Sequence, residues 1–338
     1  MYKNLNPIKR RLFKLITNSF RNSNVPYPKF GDNKKVNVLI IRPNHRLGNQ
    51  LLISPLIQEV HNQIPHCQIH LLTNGALSTI IFENYEYVTK INELPKRPFE
   101  NLISYLKTSI KVLSKTYDMA MLGNESSNSG KIFLKLCRAR HKVYNSGSFL
   151  ENKPQHIAKY PIYNFLVNQQ GVIESDLINY PKMDIKLSEK EVEEGRKMLS
   201  ALFNKTEKII AIFTYATGNK MLSKEWWQAF YLSLKIEFPH HQILEILPKE
   251  NISQIDFNAV QFYSLDIREI AALIEACSFF VGADSGMMHL AASTNTTTFG
   301  LFNVTNPAVY KPYGNDNYSF LTTAFSHFEM ITKIKTLV

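Results

Sequence analysis

Cysteine is scarce: Cys67, Cys137 and Cys277 are all the chain carries in 338 residues. Odd in number, far apart and set in apolar surroundings, they exclude a disulfide framework and a cysteine-rich metal site, and predict buried thiols of a cytoplasmic protein. Long apolar runs are lacking as well. No stretch of ~18 uncharged apolar residues occurs, so no transmembrane helix is expected. The N-terminus shows neither the apolar core nor the small-residue cleavage site of a signal peptide. No Asp-x-Asp pair occurs, which argues against the usual metal-diphosphate site. There is no Gly-x-Gly-x-x-Gly turn, which disfavours a dinucleotide-dependent oxidoreductase. Acidic residues are in deficit, 28 against 39 basic, giving a net charge of +11 and implying an acidic partner. No zinc finger, aromatic RNA-binding motif or recognition helix accompanies that charge, so no nucleic acid is expected.

A phosphorylated glycolipid or an anionic membrane suits the charge better. Ile8, Leu12, Leu15, Ile16 and Phe20 form one helical stripe, with Lys9, Arg10, Arg11, Lys14 and Arg21 beside or opposite it. A basic amphipathic helix over residues 8–21 is therefore expected to lie in a membrane interface or to pack on the protein body. Residues 22–35 read as a linker.

The length predicts two domains, and apolar runs alternating with helical patterns predict parallel sheets with right-handed crossovers. Strands are expected over 36–41, 68–73, 119–122, 208–214, 242–247 and 279–282. Helices are expected over 50–63, 188–202, 223–238 and 267–277. Residues 151–181 read as an interdomain passage.

Two strand-to-helix hinges stand about 235 residues apart. The first follows Val36–Ile41 and reads Arg42-Pro43-Asn44-His45-Arg46-Leu47-Gly48-Asn49. The second follows Phe279–Gly282 and reads Asp284-Ser285-Gly286-Met287-Met288-His289-Leu290-Ala291-Ala292. Asp284 or Ser285 can cap the helix that opens there, and Gly286 lets backbone approach a ligand. Free N–H groups at the start of a helix suit a phosphate or diphosphate. An ordinary strand-to-helix turn with a core histidine is the plainer alternative.

These motifs resemble glycosyltransferase family 9, the heptosyltransferases of lipopolysaccharide core synthesis. Arg42, Gly48-Asn49 and Pro55 match the order of its N-terminal hinge. The Asp284 to Ala292 signature is followed by Thr298-Phe299-Gly300-Leu301-Phe302, Thr305 and Pro307, as in the family. Lys220 and Trp227 resemble a lysine and a tryptophan between the two hinges.

The resemblance implies an α/β protein of GT-B type, with two Rossmann-like domains whose parallel sheets face an interdomain cleft. A basic amphipathic segment and linker would occupy residues 1–35. The acceptor domain would run from 36 to 182 and the nucleotide-sugar domain from 183 to 338, the last helix returning to the N-terminal domain. The reaction implied is inverting and metal-independent. It moves heptose or a related sugar from an ADP-sugar to a lipopolysaccharide-core or other lipid-linked acceptor, with no cofactor. The location implied is the cytoplasm, peripheral to the inner face of the membrane.

Lys220, Glu250, Leu265, Asp284, Ser285, Gly286, Met288 and His289 would serve the donor, and Arg42, Arg46 and Gly48 the acceptor. Lys220 would oppose the leaving diphosphate and Glu250 would accept from the ribose hydroxyls. Each has a plainer alternative: a solvated lysine, a loop charge and, for His289, a core histidine. The main departure is Asn49, where the family usually has Asp. An amide can hold a hydroxyl but cannot take its proton. The base would then be His45, nearest in sequence and of the side-chain type most often used as a base at neutral pH, or another group such as Glu125. The alternative is a non-catalytic sugar-nucleotide-binding protein on the same fold.

Overall fold

The computed structural model describes residues 35–143, 153–171, 173–203, 208–314 and 316–338, so the amphipathic stripe over 8–21 lies outside the described residues. The chain divides into two compact units. The first takes the described residues of Met1–His45, Pro55–Thr79 and Tyr85–Pro181; the second takes Arg46–Ser54, Ile80–Asn84 and Lys182–Val338. Two short pieces of the N-terminal half thus belong to the second unit, which a single boundary near residue 182 does not anticipate.

In chain order the N-terminal elements are β1 (Val36–Arg42), α1 (Leu47–Leu51), α2 (Ser54–Gln63), β2 (Cys67–Asn74), α3 (Leu77–Ile81), β3 (Val88–Leu94), α4 (Leu102–Ser114), β4 (Thr116–Leu122), α5 (Asn128–Leu136), β5 (Arg138–Val143) and α6 (Lys159–Gln170). The five strands pair in parallel in the order β3-β2-β1-β4-β5. Leu39, Ile41, Leu72 and Ala120 of the sheet pack with Val112, Phe133 and Leu134 of the helices.

Two local expectations are corrected here. The single helix expected over 50–63 is broken between α1 and α2. Pro55 has no N–H to give the Leu51 carbonyl, so the helix cannot run through that point. The passage expected over 151–181 contains α6, whose Pro161 sits in the first turn, where a missing N–H costs nothing. Its Ile162, Tyr163, Phe165 and Leu166 are buried.

The C-terminal elements are α7 (Glu189–Leu202), β6 (Lys208–Phe213), α8 (Lys224–Glu237), β7 (His241–Ile246), β8 (Val260–Phe262), α9 (Ile267–Glu275), β9 (Phe279–Ala283), α10 (Gly286–Ala291), β10 (Thr298–Phe302), α11 (Pro307–Tyr310), β11 (Tyr318–Leu321) and α12 (His327–Leu337). The six strands are all parallel, in the order β11-β10-β9-β6-β7-β8. Both sheets are α/β and doubly wound, as expected from the sequence.

Ser188 starts α7 with a full capping box, and Ser223 caps α8. Trp227, Phe230 and Leu234 of α8 pack with Met330, Ile331 and Ile334 of α12 over Phe279, Val281 and Phe299. Lys335 adds an ion pair to Glu237 at 3.2 Å. The last helix thus fills its apolar stripe with α8 of the second unit. All three cysteines are buried free thiols. Among the described residues no helix is long and apolar enough to cross a membrane.

Candidate functional site

Strand order locates the crevice of each sheet before any side chain is considered. In an open parallel sheet, ligands bind beyond the carboxyl ends of neighbouring strands whose crossovers diverge. In the second unit those strands are β6 and β9. Lys220 lies on the loop after β6 and the signature hinge follows β9.

The structure brings these two loops together. Lys220 Nζ lies 2.8 Å from Asp284 Oδ2, with the Asp284 side chain buried and the lysine half-buried. The Lys220 ammonium also stands 5.9 Å from the centroid of the Tyr310 ring. Asn303 on the loop after β10 donates to the Asn219 carbonyl at 3.1 Å, holding the lysine's turn in place. Asp284 does not cap α10; that role falls to Ser285, whose Oγ accepts from the Met288 N–H at 3.4 Å.

Gly48 and Gly286 meet within this second unit. A Cβ on Gly48 would lie 2.6 Å from Cδ2 of His289, and one on Gly286 would lie 3.2 Å from Cβ of Leu47 and 3.3 Å from the Gly48 nitrogen. The two glycines let α1 lie against the start of α10, next to Asn49. His289 is buried with its ring against Gly48, so a core histidine describes its surroundings. Met288 is fully buried as well, its sulfur beside Gly300, and only its N–H takes part in the hinge. Trp227 is a core residue.

The remaining donor candidates are at the surface. Glu250 lies in the loop after β7, 3.7 Å from Lys249 Nζ, and Leu265 is 72% exposed. Beneath that loop is a group that sequence reasoning missed. Glu245 on β7 is fully buried and accepts from Thr214 Oγ1 and Ser253 Oγ, both at 2.7 Å. Ser253 Oγ in turn accepts from the N–H groups of Ile255 and Phe257. Burial pushes the Glu245 carboxyl up. Its signal was legible: one acid inside an otherwise apolar strand, Ile243-Leu244-Glu245-Ile246-Leu247.

In the first unit the diverging strands are β1 and β4. Arg42 ends β1 and is buried, and His45 beyond it is exposed, as is Arg46, which opens the second unit's first segment. Glu125 lies on the loop after β4, and the Gly123 N–H of that loop donates to the Ile41 carbonyl at 2.9 Å. The Glu125 carboxylate accepts from Asn164 Nδ2 of α6. Burial raises its pKa to about 7, against the opposing pull of Asn164, Lys153 and Lys131.

The family relationship extends over about two thirds of the chain and reaches into both units. Residues 106–334 match the model of glycosyltransferase family 9 (heptosyltransferase). The fold is similar to that of Escherichia coli heptosyltransferase WaaC with ADP, at 13% identity and a TM-score of 0.68 over 89% of this chain and 100% of that one. The glycosyl transferase family 9 protein from Veillonella parvula superposes at 16% identity and a TM-score of 0.70, covering 94% of this chain and 92% of that one. E. coli ADP-heptose lps heptosyltransferase II gives 15% and 0.64 over 89% and 98%. No curated protein matches the chain in sequence. With the family's model spanning some two thirds of its residues and its two-sheet GT-B architecture present, this chain belongs to glycosyltransferase family 9 and is a glycosyltransferase.

Proposed function

We propose that the protein transfers heptose or a related sugar, with inversion, from an ADP-sugar to a lipopolysaccharide-core or other lipid-linked acceptor. The observation that carries this reading is the Lys220–Asp284 pair beside Ser285 and Gly286, at the crevice of the second sheet. It sets one half-buried cation and a cluster of hinge N–H groups where a diphosphate would leave. In water-poor surroundings such groups stabilise the charge that grows on the leaving oxygen. With no Asp-x-Asp pair in the sequence, that work falls to this chain's own cation and amides. Asp284 holds Lys220 in place until the diphosphate takes over the ammonium. Met288 and His289 shape the hinge from below. Glu250 accepts from the ribose hydroxyls and Leu265 covers the base. The WaaC structures with ADP and with ADP-2-deoxy-2-fluoro heptose support this choice of donor.

Arg42, Arg46, Gly48 and Asn49 serve the acceptor, and because the Asn49 amide cannot take a proton, another group is the base. Of the two candidates, His45 and Glu125, we favour Glu125. It lies at the crevice of the first sheet and carries a carboxyl poised near neutrality, where a general base is most effective. A lipid-linked acceptor places the protein on the inner face of a cytoplasmic membrane.

Acceptor-dependent ADP release from ADP-heptose, with a lipid-core acceptor, tests the reading. Wild type should turn over. Lys220→Ala should lose about tenfold to a hundredfold in kcat/KM, the cost of one charged contact. Donor binding and turnover unaffected by Lys220→Ala would overturn the assignment of the donor site.

A further inference from the structure

One helix of the first unit is apolar on two faces. α4 buries Ser109 and Val112, and sets Tyr105 against Phe133 at 6.3 Å. An ordinary surface helix would be polar on the opposite side. Here Leu102, Ile103, Leu106 and Ile110 are 54%, 72%, 49% and 65% exposed. Their spacing of three and four residues puts them on one arc of the helix. Phe99, in the turn before the helix, is exposed as well. Lys107 and Lys111 follow one another along the edge of that arc, and Lys96 and Arg97 are exposed in the preceding turn. The sole acid from Pro95 to Lys115 is Glu100, which is paired with Arg97 at 3.2 Å.

We infer that this face of α4 is a membrane-docking surface whose partner is an anionic lipid bilayer. Ile103 and Ile110 enter the acyl boundary, and Lys107 and Lys111 meet lipid phosphates. Apolar side chains rimmed by lysines are the composition of interfacial helices, and each lysine near an anionic surface adds to the attraction. Charge argues against a second copy of the chain. In a twofold pairing the patch faces its own copy, so two surfaces that each carry Lys96, Lys107 and Lys111, with their single acid already paired, would be brought together. The inference stands on the first unit's surface and does not depend on the donor-site reading. It is also separate from residues 8–21.

The test places an environment-sensitive fluorophore on the full-length chain through Ile103→Cys. The three native thiols are buried, so the new one takes the label. The probe should brighten and shift to the blue with vesicles of phosphatidylcholine and phosphatidylglycerol, and much less with phosphatidylcholine alone. In the unlabelled chain, Leu106→Ser with Ile110→Ser should weaken vesicle partitioning about tenfold or more, and Lys107→Gln about fivefold. These side chains are exposed, so thermal melts should stay put. Vesicle binding with an unmoved probe would overturn the inference, since another segment would then be the anchor. Absence of vesicle binding would overturn it too. So would a dimer in sedimentation velocity that the serine pair dissolves.

Discussion

Glu125→Gln separates a working carboxylate from a structural one, because the two properties it changes should move in opposite directions. The carboxyl is ordinarily half-ionised at 4.5, and burial raises it to about 7. Above 4.5 the unfolded chain has released this proton, while the folded chain keeps it until about pH 7. The stability that Glu125 contributes at low pH is therefore lost as pH rises through that window, and is gone at pH 8. A rise of that size corresponds to roughly 3 kcal/mol, and to about 2 kcal/mol once the solvent at the edge of the site is allowed for. Glutamine keeps an oxygen that can accept from Asn164 and has nothing to ionise. At pH 8 the variant should unfold about 2 kcal/mol harder than wild type, a gain of ~4–8 °C in melting temperature. Near pH 4 the two melts should coincide. If the carboxylate takes the acceptor's proton, turnover at pH 8 should fall about 10²–10⁴-fold, and the wild-type loss of activity below about pH 7 should vanish from the residual rate. A variant that melts at or below wild type at pH 8 would refute the account of burial. One that melts higher yet turns over normally would leave the burial argument standing and return the base to His45.

Two further outcomes follow from packing. Gly48→Ala sets a methyl 2.6 Å from the His289 ring; overpacking of that kind costs about 1–3 kcal/mol, and His289→Ala in the same chain should recover part of it in a denaturant melt. Trp227→Ala empties the centre of the second core and should cost about 3–5 kcal/mol by urea titration, against little for Trp226→Ala at its edge.

What was legible in the sequence follows the physical setting of each strand. The seven interior strands, β1, β2 and β4 in one sheet and β6, β7, β9 and β10 in the other, are covered on both faces and read as continuous apolar runs. Of the five strands outside the expected set, β3, β5, β8 and β11 are the four sheet edges, and the fifth, β10, is the Thr298–Phe302 stretch of the family signature. Val88–Leu94 and Arg138–Val143 carry Lys90, Glu93, Arg138 and Arg140, as edge strands facing water do. The pairing of Lys220 with Asp284 was not legible from residues 64 positions apart; it exists because β6 and β9 are neighbours. The signature residues were visible individually, but Ser285, not Asp284, caps the helix, and that choice depends on where the lysine lies. Glu245 was passed over because an acid with no charged partner looks like an interruption until Thr214 and Ser253 are seen to satisfy it.

The second unit is assembled from three separate stretches of chain, and this has a consequence for anyone cutting or recombining it. Arg268 donates to the carbonyls of Ile80, Ile185 and Lys186 and binds Glu191, clasping the short piece Ile80–Asn84 into that unit. Arg46–Ser54 belongs to it through the two facing glycines. A fragment beginning at residue 182 would be a protein with two pieces missing, its His289 ring uncovered and Arg268 without its Ile80 acceptor. Chimeras between family members joined there would graft one parent's hinge onto the other's helix, and they should succeed only where residues 46–54 and 80–84 travel with the C-terminal parent.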